Sequence, residues 1–326
     1  MARAYGYHGI ELFHEDLADV ANSLDGGSST ANELQAAEII RNMCHERNLD
    51  IICLQPFAHY EGLLDRDEHA RRIEKLKFWF QLAKVLETDI VQIPSSFLPA
   101  SEVSEDRSLI ISDLREAADM GLQEQPPVRF VYEALCWGTR VDHWEQSWEI
   151  VQAVERPNFG ICLDTFNIAG RIYADPASPS GTNANASQAV KESIARLLSS
   201  VDVRKVFYVQ VVDAERLETP LVEGHQFYNA EQPCRMSWSR NCRLFYGEKD
   251  YGAYLPVAEI ARAIFQGLGY KGWVSLELFN RRMSETDEDV PRELARRGAI
   301  SWAKLVRDMK LQVDSPLVSE RFSASL

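Results

Sequence analysis

Seven short apolar runs, separated by longer amphipathic stretches, constrain the fold of this chain more than any other feature of its sequence. The runs are GIELF (9–13), DIICLQPF (50–57), DIVQIPSSF (89–97), RFVYEAL (129–135), FGICLDTF (159–166), KVFYVQVVDA (205–214) and GWVSLELF (272–279). Between them lie segments such as ARRIEKLKFWFQLAKVLE, whose apolar residues recur every three or four positions, as in a helix with one buried face. The sequence therefore predicts repeated strand and helix units.

The apolar character of these runs is nearly continuous, which predicts strands buried on both faces in a parallel α/β sheet. No GxGxxG or GxxxxGK[ST] motif follows a strand, so a nucleotide-binding open sheet is disfavoured and a TIM (β/α)8-type barrel is favoured. Only seven runs are present, because MARAYGY reads as the end of a helix that leads into the first run. We expect a barrel that lacks its first βα unit.

Length and charge narrow the class of protein. The chain of 326 residues is 45% hydrophobic, which predicts one domain over 1–326, with a core over about 5–310 and a loosely packed tail over 311–326. A net charge of -14 without a Lys/Arg cluster argues against nucleic acid and anionic membranes as partners. The start lacks a signal-peptide pattern and no run is long enough to span a membrane, so we expect a soluble, cytoplasmic protein. Self-association into a homo-oligomer stays open.

Four polar residues stand near the C-terminal ends of neighbouring predicted strands: Glu133, Asp164, Gln210 and Glu277. Carboxylates this close in a barrel would repel one another and raise each other's pKa unless a cation neutralised them. An all-oxygen set suits Mg²⁺ or Mn²⁺ better than zinc, and Co²⁺ is a further candidate. Taken singly, each acid also reads as a helix cap or an ion-pair partner, and Gln210 can equally satisfy a buried backbone group.

The residues also carry a family resemblance. The segments that carry it are GYHGIELFHEDL, QPFAHYEGL, FVYEALCWGTRVD, FGICLDTFNIAGRIYADP, VQVVDAERLETPLVEG, MSWSRNCRLFYGE and GWVSLELFNRRMSE. From residue 5 to about 310 the chain resembles fungal-type 3-dehydroshikimate dehydratases of quinate catabolism, which are xylose isomerase-like TIM barrels. The resemblance implies a divalent metal at the same four positions and a lyase that converts 3-dehydroshikimate to protocatechuate and water. Bacterial relatives often carry a His three residues after the metal-binding Asp, where this chain has Asn167, a candidate substrate-binding residue.

The implied reaction needs a group that moves protons. The C4 proton of 3-dehydroshikimate is acidified by the C3 ketone, and the C5 hydroxyl is β to that ketone, so elimination through an enolate is expected. His59 in QPFAHYEGL directly follows a strand and is the first candidate, because the ordinary pKa of His suits proton transfer near neutrality. His225, in the long loop over about 215–252, is the second. A lone histidine after a strand is more often structural.

The substrate carboxylate calls for an arginine, which can bind it through two parallel hydrogen bonds. Three arginines lie on loops at the expected face, and Arg240 is favoured because the nearby Trp238 could shield the ion pair from water. The other candidates are Arg66 and Arg171. Any one of them also reads as a solvated surface residue.

Two other functions stay open. A sugar isomerase or epimerase would use the same metal cage to stabilise an enediolate, and a non-catalytic truncated remnant is suggested by the missing first unit. Incubation with 3-dehydroshikimate separates these hypotheses, because only the dehydratase forms the ultraviolet-absorbing product protocatechuate.

Overall fold

A computed structural model describes residues 1–313. The described chain divides into two compact units, an N-terminal unit of His8–Cys162 and a C-terminal unit that combines Met1–Tyr7 with the chain from Leu163 onward. The single domain predicted over 1–326 stays a prediction. The predicted tail over 311–326 lies, apart from its first three residues, outside the described part of the chain.

Each of the seven predicted runs contains a strand. In chain order the strands are β1 Gly9–Phe13, β2 Asp50–Gln55, β3 Ile90–Pro94, β4 Arg129–Glu133, β5 Phe159–Asp164, β6 Val206–Gln210, β7 Asp213–Ala214, β8 Arg243–Leu244 and β9 Val274–Ser275. In the N-terminal unit β1 to β5 pair in parallel, each with the next. In the C-terminal unit β6 pairs in parallel with β9, while β7 and β8 form a small antiparallel pair.

Helices follow most of these strands. They are α1 His14–Asn22, α2 Thr30–His45, α3 Arg66–Leu86, α4 Arg107–Gln123, α5 Trp144–Val154, α6 Thr165–Ile172, α7 Ala186–Ser200, α8 Cys234–Cys242, α9 Val257–Arg262 and α10 Val290–Met309. Several begin at an aspartate whose side chain accepts backbone N–H groups of the first turn, as Asp65 does for α3 and Asp106 for α4. Such caps satisfy N–H groups that have no partner within the helix, so the strand-to-helix turns are locally encoded.

The predicted burial of the strands is confirmed where the sequence was most apolar. Every residue of β3 and β5 is buried, and β2 is buried after its first residue. Strands without an exposed alternate face are those of a parallel sheet covered on both sides.

The last predicted strand is shorter than expected, which is a correction to the reading of GWVSLELF. Only Val274–Ser275 pairs with β6. The residues after Ser275 instead pair with the long loop over about 215–252, which we call the insertion. The Arg243 amide donates to the Phe279 carbonyl, and Cys242 forms an antiparallel bridge with Asn280. Glu277 therefore lies past the strand. The predicted long loop over about 215–252 likewise contains α8 and β8.

No helix among residues 1–313 combines the length and apolar character needed to cross a membrane. The compartment expected from the sequence stays a prediction.

The turn after β2 supplies a stability prediction. Gly62 has φ +70°, and a Cβ there would stand 2.9 Å from Ile110 Cγ1. Gly27 has nearly the same φ, +67°, but open space around it. A left-handed backbone costs an L-residue about 1–2 kcal/mol, and overpacking adds about 1 kcal/mol or more. We expect Gly62→Ala to lower the free energy of unfolding more than Gly27→Ala, measured by urea denaturation; equal losses would contradict the contact.

Candidate functional site

Asp164, the last residue of β5, caps a helix and is also one of the predicted metal ligands. Its side chain is buried and caps α6 by accepting the Phe166 amide at 2.7 Å. Its Oδ2 also accepts the Asn167 side-chain amide at 2.8 Å, which places the predicted substrate-binding Asn167 against a predicted metal ligand. Burial raises the pKa of Asp164 to about 6, opposed by the charge of Arg243 and reinforced by Glu277. A carboxyl in this setting needs a positive neighbour to stay ionised.

That positive neighbour is Arg243, the first residue of β8. Its Nη1 donates to Asp164 Oδ2 at 3.1 Å and to Glu277 Oε2 at 2.8 Å. Its Nε donates to Ser239 Oγ at 3.0 Å, and the guanidinium lies 4.2 Å from the centre of the Phe166 ring. The side chain is 2% exposed. Two predicted metal ligands are thus brought to one buried cation within the C-terminal unit.

Sequence reasoning missed Arg243, although the segment MSWSRNCRLFYGE was recognised. The available signal was the same one that drew attention to Glu277: a charged residue next to an apolar run, here Leu244, Phe245 and Tyr246. A charge placed there costs several kcal/mol unless it is paired, so it predicts an opposite charge nearby.

The other two predicted ligands lie at strand ends as expected. Gln210 is the last residue of β6 and is fully buried. Glu133 is the last residue of β4, in the N-terminal unit, where it is buried and accepts the Gln92 side-chain amide at 2.5 Å. The ligand role of both stays a prediction.

The donor set of the C-terminal unit fits a divalent cation. Two carboxylate oxygens converge on one guanidinium nitrogen of the C-terminal unit, at 3.1 Å and 2.8 Å. Oxygen donors of this kind suit Mg²⁺ and Mn²⁺.

His59 is held in an unusual backbone conformation. Its φ is +58°, a left-handed value that costs a residue other than glycine about 1–3 kcal/mol and persists where the surroundings determine it, often at functional sites. Its Nδ1 lies 3.4 Å from Ser96 Oγ, and its ring meets Phe97 edge-on at 4.3 Å between centroids. Burial lowers the pKa of His59 to about 4, with Arg72 and Lys75 adding to the effect. The imidazole is therefore neutral near pH 7 and able to accept a proton.

Two predicted candidates lie in the insertion of the C-terminal unit. His225 is half-buried, and its Nδ1 accepts the Phe227 amide at 3.1 Å. Arg240 is exposed on α8 and donates to Gln232 Oε1 at 3.1 Å. Their roles stay predictions, but the structure brings Arg243, and not Arg240, to the predicted metal ligands.

Arg66 is engaged in an ion-pair network of the N-terminal unit. Its guanidinium grips both oxygens of Asp113, at 2.7 Å and 3.0 Å, while His69 Nε2 lies 3.1 Å from Glu116 Oε2 and 3.6 Å from Asp113 Oδ1. The His69, Asp113 and Glu116 ligand atoms lie within 4.8 Å of one another, close enough to hold a metal. Because the Arg66 guanidinium already neutralises Asp113, we interpret the network as the link between α3 and α4. The expectation that the three candidate arginines lie on loops is wrong, because they lie on α3, α6 and α8, and Arg171 on α6 is half-buried.

The contacts of Arg243 predict a graded loss of stability. Arg243→Lys keeps the charge but loses the Ser239 hydrogen bond and the flat contact with Phe166. Hydrogen bonds of charged groups contribute about 1.5–3 kcal/mol, so we expect a loss of that order in urea unfolding with a chelator present. The control is Arg204→Lys, whose side chain is 86% exposed and for which we expect little or no loss. Similar losses in the two variants would count against the buried role of Arg243.

The chain matches known proteins over nearly its whole length. A family model described as the xylose isomerase-like TIM barrel matches residues 1–305. The chain is 64% identical over 332 aligned positions to a 3-dehydroshikimate dehydratase of Neurospora crassa, covering all of this chain and 92% of that protein. The TIM barrel of the xylose isomerase-like family, expected from the sequence, is confirmed.

Solved structures give the same architecture. A xylose isomerase-like TIM barrel/4-hydroxyphenylpyruvate dioxygenase fusion protein matches with a TM-score of 0.70 at 25% identity, covering 94% of this chain and 40% of that longer one. The IOLI protein, solved with a bound zinc atom, matches with a TM-score of 0.65 at 17% identity, covering 96% of this chain and 92% of that one. The second likeness shows the fold alone.

Proposed function

The chain belongs to the family of xylose isomerase-like TIM barrels, and from this premise we propose that it is an enzyme that dehydrates 3-dehydroshikimate to protocatechuate. The observation that carries the proposal is its 64% identity, over the whole chain, to the Neurospora crassa dehydratase. The buried acids of the C-terminal unit and the neutral imidazole of His59 in the N-terminal unit support it, because the reaction removes a proton next to a ketone and expels a hydroxyl group.

The reaction balances as a loss of water. The C4–H bond and the C5–O bond break, a double bond forms between C4 and C5, and water leaves. Moving one C6 proton to the C3 oxygen then completes the aromatic ring. The protein must accept the C4 proton and assist the departure of the C5 hydroxyl.

His59 is the proposed proton acceptor. Its lowered pKa, about 4, keeps the imidazole neutral at the pH where it must act. Once protonated it can return that proton to the departing C5 hydroxyl, so one residue would serve both steps. His225 stays the alternative.

Proteins of this family generally bind divalent metals. In this chain the proposed ligands are Glu133, Asp164, Gln210 and Glu277, and the proposed metals are Mn²⁺, Mg²⁺ or Co²⁺. When bound, such a cation supplies Lewis-acid polarisation of a carbonyl oxygen.

Arg243 orients two of these ligands. A guanidinium that donates to both Asp164 and Glu277 fixes which carboxylate oxygens turn toward it, and so which are left for a ligand. The proposed partners of the substrate carboxylate are Arg240, Arg171 and Arg66, of which Arg66 is already paired with Asp113.

The test is a turnover assay with purified protein and 3-dehydroshikimate, following the ultraviolet band of protocatechuate. We expect activity that is lost with a chelator and restored by Mn²⁺, Mg²⁺ or Co²⁺. Interconversion of a ketose and its epimer, without protocatechuate formation, would instead favour the sugar isomerase or epimerase. Metal binding without turnover on either substrate would favour a non-catalytic remnant.

A further inference from the structure

Glu61 is a buried carboxyl group to which the proposed chemistry assigns no role. It is 2% exposed, and its Oε1 accepts the backbone N–H of Ser96 at 2.7 Å and the hydroxyl of Tyr132 at 3.1 Å. Its Oε2 is also buried and has no hydrogen-bond partner among residues 1–313. Burial raises the pKa of Glu61 to about 7, while the Ser96 N–H opposes the shift. An acid in this position is retained at a cost, since an apolar side chain would avoid burying the second oxygen.

The partners of Glu61 come from three successive parallel strands. Glu61 follows the end of β2, Ser96 follows the end of β3, and Tyr132 lies on β4. One carboxyl oxygen therefore ties together the C-terminal ends of β2, β3 and β4 within the N-terminal unit. Side chains at this end of parallel strands face the active site in TIM barrels.

His59 lies inside the segment that Glu61 anchors. On one side of it, the Phe57 amide donates to the Gln92 carbonyl at 2.8 Å. On the other side, Glu61 makes the contacts just described, and the Gly62 amide donates to Asp113 Oδ2 at 2.8 Å. A left-handed residue between two fixed points has its conformation set by those points.

Ser96 connects the two side chains directly. Its backbone N–H binds Glu61, while its hydroxyl lies 3.4 Å from His59 Nδ1. The hydrogen bond at one ring nitrogen of a histidine decides the protonation of the other. A movement of Ser96 therefore changes the contact at His59 Nδ1.

We propose that Glu61 is a positioning residue for His59, which holds the left-handed backbone at His59 and the Ser96 hydroxyl against Nδ1. This inference rests on the proposed role of His59 in the dehydration. Glu61 itself makes no contact with substrate under this proposal. Its replacement must therefore displace the His59 imidazole.

The first experiment measures the pKa of His59 by NMR titration of the imidazole signals, with the His59 signal assigned by its absence in His59→Asn. In Glu61→Ala we expect the pKa to rise from about 4 toward its ordinary value of 6.5, because the freed segment exposes the ring. Glu61→Gln keeps an acceptor for Ser96 and Tyr132, so we expect it to retain the lowered pKa. An unchanged pKa in Glu61→Ala overturns the proposal, even if the protein is less stable.

The second experiment measures kcat and KM with 3-dehydroshikimate. Misplacement of a reacting group by about 1 Å can cost 10²-fold, so we expect Glu61→Ala to lower kcat about 10- to 100-fold with little change in KM or metal content. In a His59→Asn background the same change should lower kcat less than threefold, because the two residues act through one group. Additive losses overturn the proposal.

A further variant covers the case in which Glu61→Ala does not fold. Glu61→Leu combined with Tyr132→Phe removes the acid and the hydroxyl together and leaves an apolar pair of similar size, which is often nearly neutral for stability. We expect it to show the same rise in the pKa of His59, and a wild-type value overturns the proposal. Full activity of His59→Asn would refute the proposed role of His59 in turnover, whereas the NMR titration still decides whether Glu61 positions its ring.

Discussion

Glu277→Ala is expected to lower protocatechuate formation about 10³-fold and to weaken the binding of a divalent metal. Lewis-acid polarisation contributes several kcal/mol to transition-state stabilisation, and each 1.4 kcal/mol corresponds to a factor of ten in rate. The variant also leaves the Arg243 guanidinium with Asp164 as its remaining carboxylate partner of the pair. Removal of the Glu277 carboxylate therefore reduces the negative charge that would hold the cation.

The measurement pairs kcat with metal affinity, determined by competition with a chromophoric chelator. Glu277→Gln keeps the size of the side chain and one carbonyl oxygen, so we expect a smaller loss of affinity than in the alanine variant. Glu259→Gln, on the exposed face of α9, is the charge-matched control and should retain both properties. Wild-type metal affinity and turnover in Glu277→Ala would remove Glu277 from the proposed ligands.

The strands were predictable from the sequence because each is specified locally. Runs such as IVQIP and FGICLD are apolar apart from Gln92 and the terminal Asp164, and an aspartate caps the helix that follows each, Asp106 for α4 and Asp164 for α6. The exception is GWVSLELF, whose strand is shorter than predicted because residues outside the run determine where it ends. Its later residues hydrogen-bond to β8, which belongs to an insertion whose fold has no periodic pattern in the sequence.

The residues of the site likewise divide into those specified by the local sequence and those placed by contacts that are distant in the chain. Asp164 and Glu133 could be selected because they end apolar runs, whereas Arg243 reaches its partners only through the fold of the insertion, 79 and 34 residues away along the chain. Glu61 was equally hidden, because an acid before a glycine in a polar turn normally indicates solvent exposure. Its burial depends on Ser96 and Tyr132, which come from other strands.

His59→Asn is expected to lower kcat by roughly 10²–10⁴-fold while leaving metal content unchanged, the range typical of a positioned acid or base. The expectation follows from three observations on one residue: a left-handed backbone, a fixed contact at Nδ1 and a pKa lowered to about 4 by burial. The neutral imidazole is the form favoured above that pH, so the base is available across the neutral range. Asn retains hydrogen bonding and tolerates a left-handed backbone, which confines the change to proton transfer.

The control is His45→Asn, because His45 is exposed on α2 and pairs with Glu87. We expect it to keep wild-type kcat, KM and thermal midpoint. His225→Asn is measured beside it as the competing assignment. If His225→Asn loses activity and His59→Asn keeps it, the proton acceptor lies in the insertion, and the strained backbone at His59 serves the packing of the turn between β2 and α3. If both variants lose activity with their metal content intact, the two histidines divide the work, one removing the C4 proton and the other protonating the departing hydroxyl. A solvent isotope effect on kcat that survives in only one of the variants would then tell which step each histidine performs.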